Sequence, residues 1–325
     1  MSRILTGVQS TGRPHMGNIL GAIIPAIELA NNPANDSFLF IADLHSLTQI
    51  KNPKYLKENT LQVAATWLAC GLDPGKTTFY RQSDVPQCTE LSWYLNCFFP
   101  YQRLKLAHSF KDKSDRLEDV NSGLFTYPML MASDILLYDA DFVPVGKDQL
   151  QHLEMTRDVA SRINHKYGEV FIIPEAKLQK DAQLITGTDG EKMSKSRENT
   201  IDIFENEKSI KKVINKNIIT DNSSLEAPKD PNNSTVYHLF NLIASNEKSS
   251  KMKEKLKAGG YGWGHAKKEL IEELVKSFAT QREKFNYYIN HPKEVEDVLQ
   301  KGALKAKKVA ETTINRVRES LGYNS

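Results

Sequence analysis

Short runs rich in β-branched and aromatic residues alternate with longer helix-like stretches through residues 1–175. Ile4–Gln9, Phe38–Asp43, Thr78–Gln82, Asp141–Val145 and Val170–Ile173 read as strands. Gly17–Asn31, Pro53–Cys70, Thr89–Phe98, Pro128–Asp139 and Gln149–Lys166 read as helices, with Pro53 and Pro128 suited to a first helical turn. Pro25 lies inside the first helical stretch and predicts a kink or an early end there. Alternation of this kind implies βαβ units and a parallel sheet, whose ligands sit at the carboxyl ends of the strands.

The pattern breaks over residues 175–200, a polar, Gly-containing segment that reads as an exposed, mobile loop. From Ile201 onward the periodicity is helical, apart from a loop at Asn222–Thr235 rich in Asn, Ser, Asp and Pro. In the last helix Ala306, Ala310, Ile314, Val317 and Leu321 form an apolar stripe, while Lys301, Lys305 and Lys308 share another face. The architecture expected is therefore α/β, a parallel-sheet domain over 1–200 followed by an all-helical domain over 201–325.

Composition changes this picture little. The chain has 325 residues, 40% hydrophobic and 26% charged, which is ordinary for a soluble globular protein. No apolar run approaches the ~18 residues of a membrane span, and no signal peptide is expected at the amino end. The three cysteines, Cys70, Cys88 and Cys97, are too few and too scattered for a disulfide framework or a CxxC metal site, and suit a reduced, cytoplasmic protein. Charge is uneven: residues 1–190 carry 18 Lys and Arg against 21 Asp and Glu, residues 191–325 carry 25 against 19. The basic back half suits either a polyanionic partner or a merely solvated surface.

Two segments suggest chemistry. GVQSTGRPHMGN, residues 7–18, follows a strand and opens a helix. Such a junction presents free backbone N–H groups and the positive end of a helix dipole, a ready phosphate site. Gly12 and Gly17 permit close backbone approach, and His15 and Asn18 can donate to phosphate oxygens. A plain strand–turn–helix with incidental polar residues fits the same string. KMSKS, residues 192–196, places Lys192 and Lys195 three apart with two hydroxyls on a loop. Mobile positive charge of this sort can follow a polyphosphate through a transition state and leave with the product. A third segment, residues 123–164, puts Tyr127, Met131 and Asp134 at i, i+4 and i+7, one helix face. A ring, a thioether and one carboxylate suit an indole, which needs a flat apolar slot and one acceptor for its N–H. Core packing beside a surface acid accounts for the spacing equally well.

PHMGN and KMSKS together resemble the HIGH and KMSKS motifs of class I aminoacyl-tRNA synthetases. His15 matches the first histidine of HIGH and Gly17 its glycine; Asn18 replaces the second histidine, a departure found in the tryptophan and tyrosine branch. The block MASDILLYDADFVPVGKDQ closely resembles bacterial-type tryptophanyl-tRNA synthetases, and the likeness extends over nearly the whole chain through VQSTG, His45, FKDKS and the tail from Gly302. It implies a Rossmann-like catalytic domain over 1–200, with a helical connective segment about 85–125 and a KMSKS loop at 186–198, and a helical anticodon-binding domain over 201–325. It implies that Asp134 accepts the indole N–H, that Gln149 holds the amino-acid head group, and that Val143, Val145, Tyr127, Met131, His45 and Leu5 line the slot. Relatives often carry Phe at the Leu5 position. ATP falls to Gln9, Ser10, Thr11, Gly17 and Asn18, with Gly146, Lys147 and Asp148 on the ribose side and Leu184 beside Lys192, Met193, Ser194, Lys195 and Ser196. Lys113 joins Lys192 and Lys195 on the triphosphate, and Mg²⁺ is held through the phosphates rather than by side chains.

The reaction so implied is activation of L-tryptophan by ATP to tryptophanyl-adenylate and pyrophosphate, then transfer to tRNA(Trp), by a homodimer. Catalysis is positioning and charge stabilisation, with no covalent enzyme intermediate. Lys301, Lys305, Lys307, Lys308, Arg316 and Arg318 are expected to grip tRNA near its anticodon. Rival readings are a tyrosyl-tRNA synthetase, another HIGH/KMSKS nucleotidyltransferase acting on a small metabolite, and a catalytically inactive RNA-binding paralogue.

Overall fold

The computed structural model describes residues 1–107, 120–146, 149–178 and 185–323. Five parallel strands form one sheet: β1 (Ser2–Gln9), β2 (Asn35–Ala42), β3 (Thr78–Arg81), β4 (Phe142–Val145) and β5 (Glu175–Leu178), in the spatial order β3-β2-β1-β4-β5. β1 pairs with β2 from Ser2↔Asn35 to Gln9↔Ala42 and with β4 through Ile4↔Phe142. The chain builds outward from β1 first to one side and then to the other, so the switch point lies between β1 and β4. The crevice at the carboxyl ends there is where open α/β sheets bind ligands. The fifth strand lies at Glu175–Leu178 rather than at the apolar run 170–173. Val170 and Phe171 are instead buried side chains of the loop before it, with Phe171 N donating to Asn164 Oδ1 at 2.8 Å.

The helix after β1, α1, is built in three pieces: Met16–Asn18, a π-helical turn Ile19–Ile23, and Ile24–Ala30 with Pro25 in its first turn. A widened turn is how a helix accommodates a residue that cannot donate its N–H. Then follow α2 (Asp43–Ser46), α3 (Pro53–Ala69), α4 (Gln87–Phe98), α5 (Tyr101–Leu104), α6 (Ser122–Leu136) and α7 (Leu150–Tyr167). Pro128 sits inside α6 rather than opening it. Asn121 is the N-cap, its side chain accepting from Leu124 N, so the helix starts two turns earlier than the proline suggests. Beyond the loop come α8 (Glu207–Asn217), α9 (Thr235–Ile243), α10 (Asn246–Ala258), α11 (Trp263–Ser277), α12 (Ala279–Asn290) and α13 (Pro292–Ser320).

Strand alternation sorts the core. Leu39, Ile41 and Phe79 face a cluster that runs through Met16, Ile19, Val63 and Trp67 into α8–α12, while Leu5, Phe38, Phe40 and Tyr80 face a second cluster with α4, α6 and α7. The last helix serves both clusters: Val295 and Leu299 in its first turns lie in the first, and its remainder in the second. Ala303, Ala306, Ala310, Ile314 and Val317 are buried in it. Gly302 lies so close to β3 that an added Cβ would stand 1.8 Å from Phe79 O. A division at residue 200 assigns α13 to the helical half, and its packing reaches both that half, through Val295 and Leu299, and the sheet, through Ala303 to Val317. The apolar stripe of the sequence is the face that reaches the sheet.

Candidate functional site

At the carboxyl end of β1, His15 caps α1. Its Nδ1 accepts from Asn18 N at 3.3 Å, and its own backbone N–H donates to Asn18 Oδ1 at 3.2 Å. Nδ1 is thereby an acceptor, which places the neutral ring's proton on Nε2. Burial, and then the charge of Lys195, lowers the His15 pKa to about 4. The ring near pH 7 is an uncharged N–H donor beside a helix amino terminus. Gly12 takes φ +107°, a left-handed conformation that suits glycine, and a Cβ there would stand 2.9 Å from Lys195 Nζ.

The KMSKS loop folds over this junction. Thr186 and Lys192 form an antiparallel bridge. Buried Asn199 ties the loop internally: its Oδ1 accepts from Ser194 N at 2.8 Å, and its Nδ2 donates to Lys192 O and to Asp189. Met193 is 4% exposed and packs with Met16 in the first core cluster. Lys195 Nζ donates to Thr11 O at 3.1 Å, Gly17 N–H points at Met193 Sδ at 3.2 Å, and Met16 N donates to Ile201 O at 2.8 Å. Arg13 pairs with Asp202 and Glu205, and its guanidinium lies over the Phe285 ring. Lys192 and Lys195 are exposed, and Ser194 and Ser196 share a hydroxyl contact of 3.2 Å. Residues 175–200 are thus not uniformly exposed: part is strand, and Thr188, Met193 and Asn199 are buried anchors.

On the other side of the sheet lies a buried polar chain. Asp134 in α6 is 3% exposed. His45 Nε2 stands 2.9 Å from its Oδ2, Gln82 Nε2 spans both oxygens at 2.8 and 3.0 Å, and Cys88 Sγ lies 3.0 Å from Oδ1. The His45 ring meets Tyr127 edge-on at 6.2 Å. Tyr127 OH is 2.7 Å from His152 Nε2, and His152 Nδ1 is 3.1 Å from Gln149 Oε1. Gln149 N donates to Gly146 O at the end of β4. Leu5, Val143 and Val145 are buried in the same cluster, with Met131 half-buried against it.

The structure thus brings His15, Gly17, Thr11, Met193 and Lys195 together, and separately joins Asp134, His45, Tyr127 and Gln149. Gln9 and Asn18 are exposed beside the first group. Ser10 is different: it is fully buried, its hydroxyl donating to Ser46 Oγ at 3.0 Å, so it braces the end of β1. Lys113, Lys147, Asp148 and Leu184 lie outside the described residues. Lys301, Lys305 and Lys308 are exposed on α13, as their shared face suggests. Arg316 and Arg318 instead hold the helix down. Arg316 donates to Val170 O and pairs with Asp139, while Arg318 forks onto both oxygens of Glu90 at 2.8 and 2.7 Å. A bidentate arginine of this kind is a clamp between α13 and α4. Gln82, Cys88 and His152 were not legible as site residues. The position of Gln82 at the end of a strand was the one available signal for it, and His152 lies one turn beyond Gln149.

Residues 1–279 match the family described as tRNA synthetases class I (W and Y). The chain is 43% identical to a tryptophan–tRNA ligase of Neisseria meningitidis over 98% of its own length and 97% of the relative's. It is 45% identical to one of Fusobacterium nucleatum over 99% and 98%. A crystal structure of a tryptophanyl-tRNA synthetase from Campylobacter jejuni, in complex with ADP and tryptophan, superposes with a TM-score of 0.93 at 42% identity, covering 98% of this chain and 99% of that one.

Proposed function

The chain belongs to the class I tRNA synthetases of the tryptophan and tyrosine branch, and from that membership we propose that it is a tryptophan–tRNA ligase: it activates L-tryptophan with ATP to the adenylate and pyrophosphate, then esterifies the amino acid onto tRNA(Trp). The observation that carries the reading is the meeting of the α1 amino terminus with the KMSKS loop, where Lys195 reaches Thr11 O and Met193 covers Gly17 N–H.

That meeting is chemically suited to a polyphosphate. The thioether of Met193 is a weak acceptor, so a phosphate oxygen readily takes the Gly17 N–H in its place. Lys195 trades a neutral carbonyl for an anion, and partial desolvation of its ammonium against the turn lowers its pKa without a carboxylate partner at hydrogen-bond distance. As the tryptophan carboxylate attacks the α-phosphorus, charge builds on the departing pyrophosphate, and in this reading the lysines and the His15 Nε2–H donate to it. Lys192 and Lys113 share the triphosphate with Lys195. Gln9, Thr11, Gly12 and Asn18 border the nucleotide, and Gly146, Lys147, Asp148 and Leu184 complete its ribose side. Ser194 and Ser196 add hydroxyls to the loop. Mg²⁺ belongs to this reading as part of the nucleotide substrate, held through the phosphates; among the described residues no group of three or more His, Cys, Asp or Glu side chains is placed to hold a metal.

Asp134 accepts the indole N–H, with His45, Tyr127, Met131, Leu5, Val143 and Val145 around the ring and Gln149 on the head group. A site built around an N–H acceptor rejects phenylalanine strongly, because the buried acid would be left unpaired, and such discrimination reaches ~10⁴–10⁵ without editing. Exposed Lys301, Lys305 and Lys308 face the tRNA, and the active form is a cytoplasmic homodimer with one tRNA crossing both subunits. Among the described residues no helix is long and apolar enough to cross a membrane. ATP–pyrophosphate exchange run separately with tryptophan, tyrosine and phenylalanine tests the reading: only tryptophan should support it. Exchange with tyrosine instead would make the protein a tyrosyl-tRNA synthetase, and none at all would make it an inactive paralogue.

A further inference from the structure

Asp134 is held from three separate elements. Gln82 comes from the turn after β3, Cys88 from the first turn of α4, and His45 from α2. The Gln82 amide cannot face the other way without loss. Its Oε1 accepts from Leu44 N at 3.2 Å, which turns Nε2 toward the carboxylate, where it spans both oxygens. Cys88 is fixed as well: Ser133, the neighbour of Asp134 in α6, donates its hydroxyl to Cys88 O at 2.6 Å. Burial, followed by the charge of Asp134, raises the Cys88 pKa well above that of an ordinary thiol, so Cys88 keeps its proton and donates it to Oδ1 at 3.0 Å.

A carboxylate offers about four lone-pair directions. With its proton on Nε2, His45 takes one on Oδ2, Cys88 takes one on Oδ1, and Gln82 takes the position between the oxygens. Because Gln82 lies across both oxygens it covers the two directions between them, so no direction stands idle and a further donor is accepted only by sharing an oxygen with one of these three. Building on the tryptophan reading, we infer that Gln82 and Cys88 are specificity-determining positioning residues, which aim Asp134 and crowd its oxygens so that it accepts one incoming N–H and no more. Neither side chain needs to touch the amino acid. Each acts through the acid, by fixing its rotation and by filling directions that water or a hydroxyl-bearing competitor would otherwise use.

The test compares two substrates in the full-length enzyme: L-tryptophan and β-(3-benzothienyl)alanine, in which sulfur replaces the indole N–H. Pyrophosphate exchange is measured for wild type, Gln82→Met, Cys88→Ala and Cys88→Ser, with folding checked by thermal melting. The ratio of kcat/KM for tryptophan over the analogue should fall about tenfold in Gln82→Met and Cys88→Ala, equivalent to ~1.4 kcal/mol of lost discrimination. KM for tryptophan should carry the change while KM for ATP stays put, and Cys88→Ser, whose hydroxyl still donates, should restore most of the ratio. An unchanged ratio, or an equal fall with both substrates, makes the two residues ordinary core and overturns the inference. If Gln82→Met does not fold, the Cys88 pair decides alone. Failure of wild type to use tryptophan at all is a different result: it removes the substrate reading and this inference with it.

Discussion

Lys195 Nζ donates to the carbonyl of Thr11 across 184 residues of sequence, at 3.1 Å. That one bond closes the KMSKS loop onto the turn after β1 and sets the ammonium beside the helix amino terminus that His15 caps. The same lysine contributes to the low His15 pKa, so the two groups feel one another electrostatically before any nucleotide arrives.

Replacing the lysine should therefore cost rate rather than amino-acid affinity. Lys195→Ala is expected to cut kcat for tryptophan-dependent pyrophosphate exchange by ~10²–10³, the usual cost of one transition-state donor. Tryptophan binding, followed by equilibrium dialysis, should stay within about twofold by the logic of differential transition-state binding. A variant with normal kcat would remove Lys195 from the mechanism.

The buried histidine makes stability depend on pH in a defined window. His15 titrates at about 4 in the fold and at about 6.5 when exposed. Between those values the unfolded chain binds the proton and the folded one does not, so stability is full above about 6.5, declines as pH falls toward 4, and loses nothing further from this group below that. His15→Asn should show a flatter decline between pH 6.5 and 4. Urea midpoints at pH 7, 6 and 5 measure it, and parallel curves for the two proteins would contradict the assignment.

Asp134→Ala should lower tryptophan activation by at least ~10²-fold, through a lost charged hydrogen bond of roughly 1.5–3 kcal/mol and the disorder of three donors left without their acceptor. Pyrophosphate exchange settles it: near-normal rates would clear Asp134 of any role in reading the indole.

The cations of α13 should divide into two classes. Charge reversal at Lys305 and Lys308 is expected to weaken tRNA binding and flatten its dependence on salt, because each lost phosphate contact takes about one unit from the logarithmic slope. Pyrophosphate exchange without tRNA should be spared. Arg318→Ala should behave differently, lowering the melting temperature through the broken clamp to Glu90. Filter binding across a salt series, paired with calorimetry, separates the two classes; identical behaviour of the lysine and arginine variants would merge them.

Much of this could be read from the chain. The first four strands, the proline-disturbed first helix, and the meeting of residues 7–18 with the KMSKS loop at the end of β1 agree with what periodicity and turn chemistry suggest. What escaped was of another kind. The fifth strand is misjudged by its apolar neighbours, since Val170 and Phe171 are buried by a loop and not by a ladder. Arg316 and Arg318 count as free cations in a sequence, because nothing local discloses that Asp139 and Glu90 lie opposite. Gln82 and Cys88 carry no motif at all; their meaning arises only when β3, α4 and α6 converge on one carboxylate.

The return of α13 to the sheet has a practical consequence. Its 29 residues span ~44 Å at 1.5 Å per residue, long enough to leave the helical half and wall off the Tyr80 side of the sheet. An enzyme cut after residue 200 would expose that flank and lose the Gly302 contact with Phe79. The amino-terminal half is therefore completed by the far end of the chain, and truncation anywhere before the final helix should remove part of its core.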